Sequence, residues 1–366
     1  VTLLDVFLTV LYARMGAGII SLRLACVVWW IFRKIARPIA RYRDVILSYC
    51  GPSILVLLVF TWLILLMLGG AMIFYPQLGT GVQANQGPTP TGFATALYVA
   101  GDAVTTVGAS DISPKTPVLR LLYTFMSIIG ISTLTLTLTY FLEVYSMLQK
   151  RNTYVMKTHH ATGDSGDAVE LLAGLGPTGE FSHGYSQLAE MAAESAELYE
   201  AHHFYAVLLY FRFREPHYAL SRAALVTLDA ITLIKSALDD DRYAWLKESA
   251  AVTQIWRAVM RIVTELSIVF LPGGLPQDTP DPHMISLWRQ RYRAALVRLR
   301  EAGISTIADE QAGAEVYVSL RARWDRYIRA FAEHMVHPMD QIDPAGTDPK
   351  ITLERPEFSE RLHTVG

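Results

Sequence analysis

The sequence predicts an all-α membrane protein with a second, helical region outside the bilayer, and three observations carry that prediction. Residues 51–75 and 118–148 are long apolar runs, each exceeding the roughly 20 residues that a helix needs to cross the hydrocarbon. Between them lies a stretch too polar to span. From residue 167 onward, apolar positions recur at helical spacing through successive segments, with Pro216, Gly273-Gly274, Pro276 and Pro280 as breakers. Composition agrees: 52% of residues are hydrophobic, only 18% are charged, and mean hydropathy is positive. A net charge of −2 gives no reason to expect a nucleic-acid partner. Cys26 and Cys50 have no metal-ligand spacing and read as reduced thiols at a membrane boundary.

Taken in order, residues 1–43 are apolar but interrupted by Asp5, Arg14 and Arg23, with Gly16-Ala17-Gly18 in the middle. Neither half reaches spanning length, so the segment is expected to form two short interfacial helices anchored by Trp29 and Trp30. No cleavable signal-peptide pattern is visible. Arg33, Lys34, Arg37, Arg41 and Arg43 then mark the cytoplasmic side by the positive-inside rule. The pore-domain candidate, residues 44–150, opens with the uncharged outer helix at 51–75, which ends at Tyr75-Pro76. Residues 77–92 are rich in Gly, Pro, Thr and Asn and read as an exposed turret. A short helix follows at 93–104, with Thr89 or Thr91 as its cap and too few residues to cross. In the inner helix, 118–148, Thr133, Thr135, Thr137 and Thr139 alternate with leucine in a strand-like pattern. An open strand edge cannot sit in lipid, so helix is expected, with the hydroxyls bonded to the preceding turn.

The motif between the two spans is Thr105-Thr106-Val107-Gly108-Ala109-Ser110-Asp111. Pro114, Thr116, Arg120 and Gly130-Ile131-Ser132 follow it, and Asp102 lies four residues before Thr106. In this register the stretch from about Ser48 to Lys150 resembles the two-helix prokaryotic potassium channels of the pore-loop ion channel superfamily. Their usual filter reads Thr-Val-Gly-Tyr-Gly-Asp; here Ala109 and Ser110 stand where Tyr and Gly are usual, and Tyr98 and Val99 replace pore-helix tryptophans.

The resemblance implies a tetrameric pore with a re-entrant pore helix and a filter at Thr105, Thr106, Val107, Gly108, Ala109 and Ser110. It makes potassium or another monovalent cation the permeant ion, with no further metal or cofactor. Four chains would supply rings of backbone carbonyls that replace the hydration shell of the ion. It also implies filter support from Asp102, Asp111 and Tyr98, with Asp102 reaching Asp111, and an inner-helix hinge at Gly130. Ile131, Leu134, Leu138 and Leu142 would line the cavity and gate, although hydropathy equally allows a lipid-facing stripe. Lost φ freedom at Ser110 and the missing tyrosine ring leave two alternatives open: a weakly selective cation channel, or a non-conducting tetrameric sensor that keeps the pore fold.

Beyond the pore, residues 151–166 read as a polar linker, 167–337 as a helical cytoplasmic domain, and 338–366 as a loose tail. The expected partners are the lipid bilayer, three copies of the same chain and an unidentified cytoplasmic ligand or regulator. Gly174–Gly179 matches GxGxxG but follows a helical stretch and contains Pro177, so it reads as an interhelix loop. His202-His203 reads as a surface pair and Asp239-Asp240-Asp241 as a solvated helix end. No nucleophile–base or metal cluster stands out, which argues against an enzyme.

Overall fold

The apolar runs become helices, and the breaks between them fall where polar side chains cap backbone groups. A computed structural model describes residues 1–12, 18–109, 111–271 and 279–344. These form two units, residues 1–148 with 203–211, and the described remainder from 149.

In the first unit, α1 (Thr2–Val6), α2 (Ile20–Ala36) and α3 (Arg43–Ser48) precede the long apolar helix α4 (Cys50–Phe74). Asp5, which merely interrupts an apolar run in the sequence, is fully buried here. Its Oδ2 accepts from Nε1 of Trp62 at 2.8 Å, and its Oδ1 accepts from the Ile20 N–H at 2.7 Å. Both oxygens must be bonded for a carboxylate to tolerate such burial. Trp62 is the middle residue of α4, so α1 packs beside the centre of that helix and not beside one of its ends, where an interfacial helix would lie. Trp30 is exposed as an anchor should be, whereas Trp29 is buried with its ring 5.8 Å from that of Tyr210.

Next come α5 (Phe93–Thr105) and α6 (Pro117–Ala161), flanked by strands β1 (Val82–Ala84) and β2 (Ile112–Pro114). The strands pair antiparallel, with Gln83 opposite Ser113, and give the turret more order than its composition suggests. In α6 the threonines bond back as expected: Thr137 Oγ1 donates to the Thr133 carbonyl at 2.7 Å, and Thr139 to Thr135 at 3.1 Å. The helix does not end near 148. Buried Arg151, Tyr154, Val155 and Thr158 recur at helical spacing and extend it to Ala161, so most of the anticipated polar linker is helix.

The second unit wraps α7 (Ala168–Leu175), α8 (Ser182–Phe204), α10 (Asp240–Lys247), α11 (Ala250–Phe270), α12 (Pro282–Glu301), α13 (Glu310–Ala322) and α14 (Asp325–His334) around α9 (Leu220–Ala237). Fifteen of the 18 residues of α9 are buried, which makes it the core helix. Of the GxGxxG match, Gly174 and Leu175 end α7 and Pro177–Gly179 forms a short 3-10 turn before α8, with Thr178 and Gly179 at φ 57° and 81°. Asp239 begins a helix and does not end one: its carboxylate accepts the Arg242 N–H at 2.9 Å and caps α10. Residues 338–344 are also more ordered than a loose tail, because Met339–Ile342 forms a short helix, α15, with Ile342 and Asp343 buried. Gly273-Gly274 and Pro276 lie outside the described residues, as does the tail beyond 344.

His202 is buried, contrary to the surface pair read from sequence. Its Nδ1 lies 3.0 Å from the Leu198 carbonyl, while its Nε2 is buried with no partner among the described residues. Burial, reinforced by the Arg151 charge, pushes the imidazole down to about 4, against the pull of the Leu198 carbonyl. The unfolded chain then takes up a proton near pH 6.5 that the folded chain refuses until about 4. Stability therefore falls as pH drops through that window, by on the order of 3 kcal/mol at most. Thermal unfolding at pH 7.5 and pH 5 should show the loss, and His202→Leu should flatten it. An equal acid shift in the variant would reassign the effect.

Candidate functional site

The site is the stretch that leaves the C-terminal end of α5. That helix is wedged between α4 and α6 by small residues. A methyl group at Gly70 would meet Met126 and Ala100, and one at Gly101 would meet the Met67 side chain. Ala71, Phe74, Val99, Ala103, Val104 and Met126 fill the space between the three helices. Gly130 has the tightest reason of all: a Cβ there would fall 1.9 Å from the Val104 carbonyl oxygen. The structure thus gives Gly130 a close helix approach to serve, in an α6 that is continuous across it. At the other end, α5 starts after Gly92 without a side-chain cap; Thr89 instead uses its hydroxyl to accept the Ala84 N–H at 2.9 Å.

The helix stops at Thr106, which is left-handed at φ 55°, ψ 31°. Gly108 is left-handed too, at φ 74°, whereas Val107 and Ala109 between and after them are not. Alternating handedness turns successive carbonyls toward one side of an otherwise extended chain. Gly108 takes this conformation freely, but a β-branched residue does not, and the strain at Thr106 costs on the order of 1–2 kcal/mol. Such strain persists only where neighbouring contacts enforce it. The Thr105 hydroxyl is turned back onto the Gly101 carbonyl at 2.7 Å, and the Thr106 hydroxyl onto that of Thr105 at 2.7 Å. Ser110 lies outside the described residues.

Two carboxylates enforce the conformation. Asp102, buried on α5, accepts the Ala109 N–H at 2.8 Å on Oδ1 and the Tyr123 hydroxyl of α6 at 2.6 Å on Oδ2. The hydroxyl of Tyr98 donates to Asp111 Oδ1 at 2.8 Å, and the Asn85 N–H donates to the Asp111 carbonyl at 2.8 Å. On these bonds each carboxylate is anchored by a tyrosine. Tyr98 thereby ties the middle of α5 to the residue that follows the stretch. Tyr123 and Asn85 are members of this network that sequence reasoning missed. The available signal for Tyr123 was a phenol in an apolar helix, which needs a partner when buried; Asn85 meets Asp111 through its backbone N–H, which no residue type announces.

The single chain leaves this stretch uncovered. Thr105 through Ala109 are all exposed, Val107 to 76%. On α6, Ile131, Leu134, Leu138 and Leu142 are exposed while Thr133, Thr137, Tyr140 and Val144 on the other side are buried. The predicted stripe is therefore one uncovered helix face. Among the described residues no cluster of three or more His, Cys, Asp or Glu side chains forms a metal site. What the stretch offers chemically is backbone carbonyls.

Among the described residues, the helices α4, extended to Gln77, and α6 are the two long and apolar enough to cross a membrane. Residues 54–147, which hold both of them, α5 and the stretch between, match the family described as "Ion channel". Over these residues the chain is channel-like. The chain is also 24% identical over 242 residues to the "Uncharacterized membrane protein YdjJ" of Bacillus subtilis (strain 168), covering 65% of this chain and 67% of that protein. No solved structure matches it. The channel-like membrane region is thus supported by sequence similarity as well as by the apolar helices.

Proposed function

We propose that four chains assemble around the Thr105–Ser110 stretch into a pore for monovalent cations, with potassium as the ordinary passenger. The observation that carries this reading is the alternating handedness at Thr106 and Gly108, held by Asp102, because it aligns carbonyls as ion ligands. One chain supplies a quarter of each ring, and closed cyclic symmetry is the usual way such rings are completed. The exposed face of Ile131, Leu134, Leu138 and Leu142 would then line the cavity, where apolar rings gate by dewetting. The arginine-rich segment near residues 33–43 favours a cytoplasmic second unit.

Ala109 favours a pore that discriminates weakly between potassium and sodium, since it has no ring to brace the stretch against α5. Purified chain in liposomes should carry rubidium and sodium flux, and its mass in detergent should be that of four chains. A tetramer with no flux of either ion points to the non-conducting sensor, and a stable monomer overturns the assembly itself. Restoring Tyr and Gly at 109 and 110 should raise the rubidium-to-sodium ratio.

A further inference from the structure

The second unit contains a cavity of about 440 Å³, within the size range of small-molecule sites. Its floor is a buried charge network. Asp229 on α9 accepts from Arg291 of α12 at 2.7 Å and from Arg321 of α13 at 2.9 Å, and Asp343 accepts from the same two at 2.5 and 2.9 Å. Tyr317 donates to Asp229 at 2.7 Å, and Arg321 also donates to Asp325 at 3.2 Å and to the Tyr317 hydroxyl at 3.0 Å. Burial disfavours charge on Asp343, but Arg291 and Arg321 outweigh it and hold the carboxyl below the ordinary carboxylate range. Asp343 is therefore ionised at neutral pH, with both of its oxygens bonded to arginine.

The rim differs. Arg298 and Arg329 are 34% and 42% exposed. Arg298 reaches Asp167 at 2.5 Å and also Glu170, while Arg329 uses only its Nε, on Asp325 at 2.5 Å. Among the described residues, both terminal nitrogens of Arg329 and the Nε of Arg291 and of Arg298 have no acceptor. Only one rim carboxylate oxygen, Glu170 Oε2, has no donor, because both oxygens of Asp167 and of Asp343 are bonded. The carboxylate oxygens keep lone pairs of their own, but the half-exposed guanidinium groups of Arg298 and Arg329 give the rim N–H donors that an incoming acceptor would meet. The lining also has an apolar part: Leu233, Met284, Leu287 and Trp288.

We infer that this cavity binds a small organic anion, with a carboxylate or phosphate on the rim arginines and an apolar or planar body against Leu287 and Trp288. Guanidinium groups suit both anions because they bond planar oxygens in pairs. Arg298 also ties the site to the chain that leaves α6. Asp167, its partner, caps α7 through the Val169 N–H at 2.9 Å and follows Ala161 by six residues. An anion that draws Arg298 away from Asp167 and Glu170 loosens that cap.

The test uses the full chain in detergent and follows thermal unfolding with phenyl phosphate, benzoate, benzyl alcohol, phenethylammonium and inorganic phosphate as probes. Phenyl phosphate or benzoate should stabilise saturably, and whichever is tighter identifies the anion. Benzyl alcohol and phenethylammonium should do nothing. Arg329→Gln should weaken the anion about tenfold or more, one charge-assisted contact being worth at least that. Leu287→Trp should abolish binding by filling the cavity, and its own unfolding curve without probe reports whether it folds. Equal stabilisation by the alcohol or the amine overturns the inference, as does binding that survives both substitutions. Because flux is not the readout, failure here is separable from failure of the pore.

Discussion

Asp102→Ala should cut cation flux by more than tenfold while the tetramer persists. The substitution removes the carboxylate that accepts from the Ala109 N–H and the Tyr123 hydroxyl, leaving both without that partner. A lost bond to a charged group is worth about 1.5–3 kcal/mol, which exceeds or matches the strain of about 1–2 kcal/mol that the bond must hold at Thr106. The stretch should therefore relax out of its alternating conformation, and the carbonyls should no longer converge. Tyr123→Phe removes the hydroxyl's bond alone and should give an intermediate loss. Tyr98→Phe acts at Asp111 only and should alter the outer end of the stretch, seen as a shifted rubidium-to-sodium ratio and not as loss of flux. The measurement is liposome flux beside detergent mass for all three variants. Wild-type flux in Asp102→Ala would show that the stretch holds its shape without the carboxylate.

Much of the channel-like unit was legible because its signals are local. Hydropathy marks α4 and α6, and the Thr105–Asp111 motif lies on consecutive residues. The supporting network was less legible because its bonds join distant positions. Asp5 reads as a defect in an apolar run until Trp62, 57 residues later, is seen to satisfy it. Tyr123 gains its role only from Asp102, on a different helix. Strands β1 and β2 have three residues each, too few for an alternation to declare itself, and they form because the turret brings them together. The linker was misread for a related reason. Its composition is polar, but Tyr154 is buried with its Oη 3.0 Å from Thr227 Oγ1 of α9, buried Thr158 bonds back to the Tyr154 carbonyl at 2.9 Å, and the packing outweighs the composition. The same override buries His202, whose neighbour His203 made the pair look like surface.

Gly130→Ala separates two accounts of the same glycine, and the close-approach account predicts the larger effect. In a hinge, alanine would strengthen the helix, since it is the better helix former by about 1 kcal/mol, and the folded chain should become more stable while gating stiffens. In the close approach, the added methyl falls on the Val104 carbonyl oxygen, with the Val104 carbonyl carbon at 2.7 Å and the Cα at 3.0 Å. All three are backbone atoms and cannot rotate away, so α5 and α6 must part. Overpacking of this kind costs about 1–3 kcal/mol, and α5 carries Thr106 two residues beyond Val104, so the displacement reaches the carbonyls directly. Gly69→Ala is the matched control, because a methyl there meets nothing within 4 Å. It should be neutral or stabilising by up to about 1 kcal/mol. Thermal unfolding of the detergent-solubilised chain should therefore place Gly130→Ala well below wild type and Gly69→Ala at or above it, with flux lost only in the former. If Gly130→Ala unfolds at or above the wild-type temperature, the glycine is there to bend α6 and the contact with Val104 yields.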